Sequence, residues 1–89
     1  MNSYDVFKVL SERDYVGLFN KVHNNGSIDS ENLISLNGLT KKQYYTRVQR
    51  LEEYDLIRRK SGKYSVTTFG KVIHDCKLKI DNALRVLFT

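Results

Sequence analysis

"TKKQYYTRVQRLEEYDLIRRKSGKYSV", residues 40–66, changes period in its middle. Up to Glu53 the apolar positions Tyr44, Val48 and Leu51 recur at helical spacing, and Thr40 is a residue type that caps helices. After Asp55 two short runs, LIRRK and KYSV, carry β-branched and aromatic residues and flank a Ser-Gly pair. The spacing predicts a helix over 41–54 running into a β-hairpin over 57–66.

The helix has two unlike faces. At 100° per residue, Tyr44, Val48 and Leu51 fall within about 60° of one another and form a core stripe. Lys42, Thr46, Gln49 and Glu53 lie opposite, flanked by Tyr45 on one side and by Gln43 with Arg50 on the other. A DNA major groove, about 12 Å wide, admits one helix; there Arg and Lys can read guanine, Gln can read adenine and Thr can meet a thymine methyl. Lys41 and Lys42 open the helix, where backbone N–H groups favour a phosphate. Arg59, Lys60 and Lys63 surround the hairpin tip, suited to backbone or minor-groove contact.

The charge distribution points the same way. The 89-residue chain carries a net +5. Residues 40–63 hold eight basic groups against three acidic ones, while the remaining seven and seven cancel. One contiguous quarter of the chain therefore holds the whole excess, the footprint expected for a polyanion partner.

Upstream, residues 30–37 form a predicted short helix with Leu33, Ile34 and Leu36, capped by Asp29, and "NGL" separates it from the helix at Thr40. Two helices joined by a glycine-containing turn make a helix-turn-helix. Ile28 in the extended link "SID" points inward. Before it, Tyr15, Val16, Leu18, Phe19 and Val22 define a helix headed by Ser11, with Asp14 completing an imperfect capping box, and ended by Asn24-Asn25-Gly26. Gly17 inside that helix costs roughly 1 kcal/mol against alanine, tolerable if a neighbour packs closely there. Residues 3–10 form a first short helix with Val6, Phe7 and Leu10 on one side.

Downstream, Thr67 or Thr68 caps a last helix. Its apolar residues Phe69, Ile73, Cys76, Ile80, Ala83 and Leu87 step in a heptad pattern. Phe69 and Ile73 are expected to pack back onto the first helix. Farther out the helix outruns a small core, so Ile80, Leu84, Leu87 and Phe88 would be exposed in a monomer. A twofold homodimer is the expected solution, with Ile73, Cys76, Ile80, Ala83, Leu84, Leu87 and Phe88 at its interface and residues 4–10 as possible contributors.

Several function classes are set aside. The longest apolar run is Val86-Leu87-Phe88, so no membrane-spanning helix is expected, and no signal peptide is visible. The single cysteine, Cys76, makes no intrachain disulfide and suits a reducing cytoplasm. "HDC" at 74–76 tempts toward a metal site, but successive helical side chains diverge by about 100°; Cys76 is read as buried and structural, His23 as solvated or paired with a helix dipole. No phosphate loop, nucleophile motif or paired metal spacing appears, so neither an enzyme nor a cofactor is expected, and no small-molecule effector can be inferred.

With these residues in place, "LNGLTKKQYYTRVQRLEEYDLIRRKSGKYSVTTFGKVI", residues 36–73, resembles the winged helix-turn-helix proteins. It is similar to the small archaeal winged-helix transcriptional regulators and, more distantly, to arsenical-resistance and multiple-antibiotic-resistance repressors. "GLT" matches the turn and cap of the recognition helix, "RLEEYDLIRR" the passage into the first wing strand, and "GKYSVTTFGK" the return strand and the opening of the next helix. The resemblance spans about residues 11–75. Asp55 stands where the family often has glycine, and Asn37 where it often has leucine. It implies a three-helix core, a wing sheet of two or three strands and a homodimer.

The expectation is thus a mainly α protein with a small β-wing: a winged helix-turn-helix unit over 1–68 and a packing and dimerisation helix over 69–89, together one structural domain. Its expected partners are double-stranded DNA and a second copy of itself, and its expected role is transcriptional regulation in the cytoplasm, at the nucleoid. The DNA-contacting set is Lys41, Lys42, Gln43, Tyr45, Thr46, Gln49, Arg50, Arg59, Lys60 and Lys63. An architectural chromatin protein with weak sequence preference and a protein-interaction module are the competing readings.

Overall fold

Several helix ends among the described residues can be traced to a particular side chain or backbone conformation. The computed structural model describes residues 3–35 and 38–87. In chain order the elements are α1 (Ser3–Leu10), α2 (Arg13–Asn25), β1 (Ile28–Asp29), α3 (Ser30–Ser35), α4 (Lys41–Glu53), β2 (Ile57–Lys60), β3 (Lys63–Val66) and α5 (Thr68–Leu87). Leu36 and Asn37 lie outside the described residues.

Thr40 opens α4 with a full capping box: its Oγ1 accepts from the Gln43 N–H at 3.2 Å, and its own N–H donates to Gln43 Oε1 at 3.0 Å. Asp29 caps α3 through Oδ1, which accepts from the Asn32 N–H at 2.9 Å. Asp55, just past α4, adopts the left-handed conformation with φ 59°, a role that aspartate fills at some cost where glycine would be free. Ser11 does not head α2. Its hydroxyl donates to the Lys8 carbonyl at 2.6 Å and so closes α1, while Glu12 precedes α2 without a side-chain cap.

Ser61 and Gly62 have φ of 53° and 76°, and Lys60 pairs directly with Lys63 across the turn. Two consecutive positive-φ residues give the primed turn whose twist matches the flanking strands. β3 is the central strand: β2 pairs with it antiparallel on one side, and the two-residue β1 on the other, with Ile28 opposite Tyr64. The result is a mainly helical α+β arrangement with a small three-stranded antiparallel sheet and a long C-terminal helix.

The core lies between α1, α2, α3, α4 and one face of this sheet. Phe19, Val22, Leu33, Tyr44, Leu51 and Leu56 are fully buried at its centre. α1 contributes Val6, Val9 and Leu10, whereas Phe7 is only half-buried. An alanine Cβ at Gly17 would meet nothing within 4 Å, so no close packing there calls for glycine. Gly17→Ala is therefore expected to raise stability by about 1 kcal/mol through helix propensity, read as a higher denaturant midpoint at unchanged m-value.

α5 departs most from expectation. Thr67 caps it, accepting from the Gly70 N–H at 2.8 Å while donating to the Asp55 carbonyl at 2.6 Å. The helix then lies against β3, and His74 meets His23 of α2. Ile73 packs on the core, but Phe69 is 37% exposed. Cys76 is exposed, not buried: its place on a heptad seam says which residues share its stripe, and from Cys76 outward the described part of that stripe is exposed. Ile80, Ala83, Leu84 and Leu87 are exposed along the outer half, with Leu87 at 72%; Phe88 lies outside the described residues. Among the described residues no helix is long and apolar enough to cross a membrane.

Candidate nucleic-acid interface

Tyr44, Val48 and Leu51 bury the inner stripe of α4, and that packing fixes which side chains face outward. Lys42, Thr46, Gln49 and Glu53 are all exposed and, at 100° per residue, form one outer strip. The Thr46 hydroxyl donates back to the Lys42 carbonyl at 3.0 Å. Lys41 and Lys42 stand at the N-terminus of α4. The capping box occupies the N–H groups of Thr40 and Gln43, and those of Lys41 and Lys42 lie between them at the positive end of the helix dipole. Gln43 is exposed, but its side-chain Oε1 is committed to the cap.

Not every cation of the basic quarter is available. Arg47 is turned inward: it pairs with Asp14 at 3.4 Å, donates to the Gln43 carbonyl at 3.4 Å and lies 5.7 Å from the Tyr15 ring centroid. It ties α4 to α2. Arg50 is exposed but leans toward α1 and α2, where hydrogen bonding to Tyr54, and after it Tyr15, holds its guanidinium above its ordinary pKa. It lines a shallow cavity of about 210 Å³ with Asp5, Lys8, Glu12, Tyr15 and Tyr54. Arg50 therefore sits at the margin of the outer strip.

The other margin carries Tyr45. Tyr45 is 49% exposed and packs edge-on against Tyr44, ring centroids 5.1 Å apart. The Tyr44 hydroxyl meets that of Ser30 at 3.2 Å. Burial, more than any neighbour, pushes the Tyr44 and Tyr64 phenols above their usual range. Both stay protonated near neutral pH, so no buried phenolate forms behind the cationic face.

Strand alternation sorts the hairpin cations. Arg59 is paired in register with Tyr64 on the core-side face, its guanidinium 5.9 Å from that ring centroid. Arg58 and Lys60 fall on the opposite face with Lys63 and Ser65. All four cations are exposed. Arg58 was missing from the sequence-derived set, although the two-residue period of β2 places it beside Lys60. Among the described residues no three His, Cys, Asp or Glu side chains come together as a metal site.

The arrangement can present hydrogen-bonding and cationic side chains along one helix, with a cationic hairpin following directly in sequence. Compared with protein-family models, curated proteins and solved structures, the chain matches none.

Proposed function

We propose that this chain is a winged helix-turn-helix protein that binds double-stranded DNA as a homodimer and regulates transcription at the nucleoid. One observation carries the reading: α4 buries Tyr44, Val48 and Leu51 and leaves Lys42, Thr46 and Gln49 exposed on the opposite strip, next in sequence to the Lys60–Lys63 hairpin tip. A 13-residue helix is about 20 Å long and fits the major groove. In this reading Lys42, Thr46 and Gln49 meet base edges, with Tyr45, Gln43 and Arg50 at the groove margins. Lys41, Arg58, Arg59, Lys60 and Lys63 hold phosphates. The exposed Ile80, Leu84 and Leu87 of α5 join two copies, so that two recognition helices address a twofold-related site.

The decisive experiment is selection of bound sequences from a random DNA pool, with particle size measured on the same sample. A defined, twofold-related site bound by a dimer supports the proposal. Equal affinity for selected and random DNA at fixed salt assigns the protein an architectural role instead. No binding even at low salt leaves a protein-interaction module. Within a selected site, Gln49→Ala is expected to lose about tenfold in discrimination at one base pair while affinity for random DNA stays nearly constant. A competition titration with single-base variants reads this directly.

A further inference from the structure

The chain has two histidines, far apart in sequence, and the fold stacks them on each other. His23 lies in the last turn of α2 and His74 in the second turn of α5. Their ring centroids are 3.6 Å apart and their planes 12° from parallel, with Phe19 of α2 a further 6.0 Å neighbour of His74. The stack sits where α5 leaves the domain. Before it, Gly70 and Ile73 hold the helix; after it, beyond Lys77, every described side chain is exposed.

Two neutral imidazoles, or one neutral and one charged, can share this spacing. Two cations this close, shielded from water on one side, repel. The His74 Nδ1 adds a second obstacle, because it is buried with no hydrogen-bond partner, and the nearest acid, Asp75 Oδ1, is 3.9 Å away. A charged histidine must donate from both nitrogens, so its Nδ1–H would be left unsatisfied.

The other groups around the pair do not remove these obstacles. From α2 it is faced by the uncharged Asn20 and by Asn24, whose Oδ1 is 3.5 Å from His23 Nδ1. From α5 come Asp75, which favours the cation, and Lys77, which opposes it and is itself held by Asp81 at 3.0 Å. β3 meets α5 through Val66 at Gly70, one turn before the stack.

We propose that the His23–His74 stack is a proton-operated latch, holding the middle of α5 against the end of α2 while the pair carries at most one charge, and releasing it when both rings are protonated. Burial first, and His23 second, keep His74 below its ordinary pKa in the folded protein. The sign follows: the contact's contribution is complete above the unfolded value of about 6.5 and is lost as pH falls through the lower folded value. Release would reorient the half of α5 that carries Ile80, Leu84 and Leu87. The latch is independent of whether the chain binds DNA.

The test is a pH titration of the intact chain by NMR, following both imidazoles together with amide exchange across residues 72–79, normalised for intrinsic rates. His74 is expected to titrate below the ordinary value. Amides 72–79 should exchange at least tenfold faster at acid than at neutral pH, with α4 unchanged. His74→Phe keeps an aromatic ring in the stack without a charge, so α5 should stay protected throughout; His23→Phe should do the same. Flat α5 protection across the titration of His74 overturns the proposal, as does a wild-type pH response in either folded variant. Circular dichroism checks each fold, and either variant alone suffices for the comparison.

Discussion

Replacing Gly70 with alanine is expected to cost about 3 kcal/mol of folding free energy, lowering the melting temperature by roughly 12–24 °C in a domain this small. An alanine Cβ at this position would overlap the Leu56 carbonyl oxygen and lie 2.6 Å from Val66 Cγ1. The first obstacle is backbone, and that backbone is itself committed: the Leu56 carbonyl accepts from the Thr67 N–H at 3.1 Å. No rotamer change relieves it, so α5 must lift from the sheet or the strand must shift. Thermal unfolding followed by circular dichroism measures the effect, and a loss of only a few degrees would show that the helix seats more loosely than described. Gly17→Ala is the internal control. It makes the same substitution inside another helix, with open space around the new methyl, and should move stability the opposite way.

The second large effect concerns the hairpin. Combining Arg59→Ala, Lys60→Ala and Lys63→Ala should weaken binding to any DNA duplex about a hundredfold at moderate salt. It should also flatten the logarithmic salt dependence by about 2.7, since each phosphate contact releases roughly 0.9 of a counterion. Selected and random sequences should suffer alike, because phosphates carry no sequence information. This separates the hairpin from Gln49, whose loss should be felt only at its own base pair. All three side chains are exposed, and the turn is built by Ser61 and Gly62, so the substitutions leave the core and the primed turn intact. An unchanged salt slope in the folded triple variant would remove the hairpin from the interface.

The hairpin and α4 were legible because their determinants are local. A Ser-Gly pair between two β-forming runs specifies a two-residue turn, and the capping box of Thr40 and Gln43 lies within four residues. The inner stripe of Tyr44, Val48 and Leu51 follows from helical spacing alone, which also set the outer strip. Other residues were ambiguous locally. Ser11 stands between two helices and could close one or open the other; its bond to Lys8 decided the matter. Arg47 belongs by sequence to the cationic run, yet Asp14 and Tyr15, a helix away, draw it inward. For α5 the heptad spacing identified a stripe but not its cover, which is why Cys76, expected inside, lies exposed.

Sequence alone therefore determined the order of elements, the turn of the hairpin and the two faces of α4. Periodicity, capping and turn chemistry act over a few residues and leave their signature in consecutive letters. Tertiary structure alone decided the seat of α5 at Gly70, the inward pairing of Arg47 and the meeting of His23 with His74. These depend on the separation of backbones brought together from distant parts of the chain, and no local preference encodes a distance of that kind.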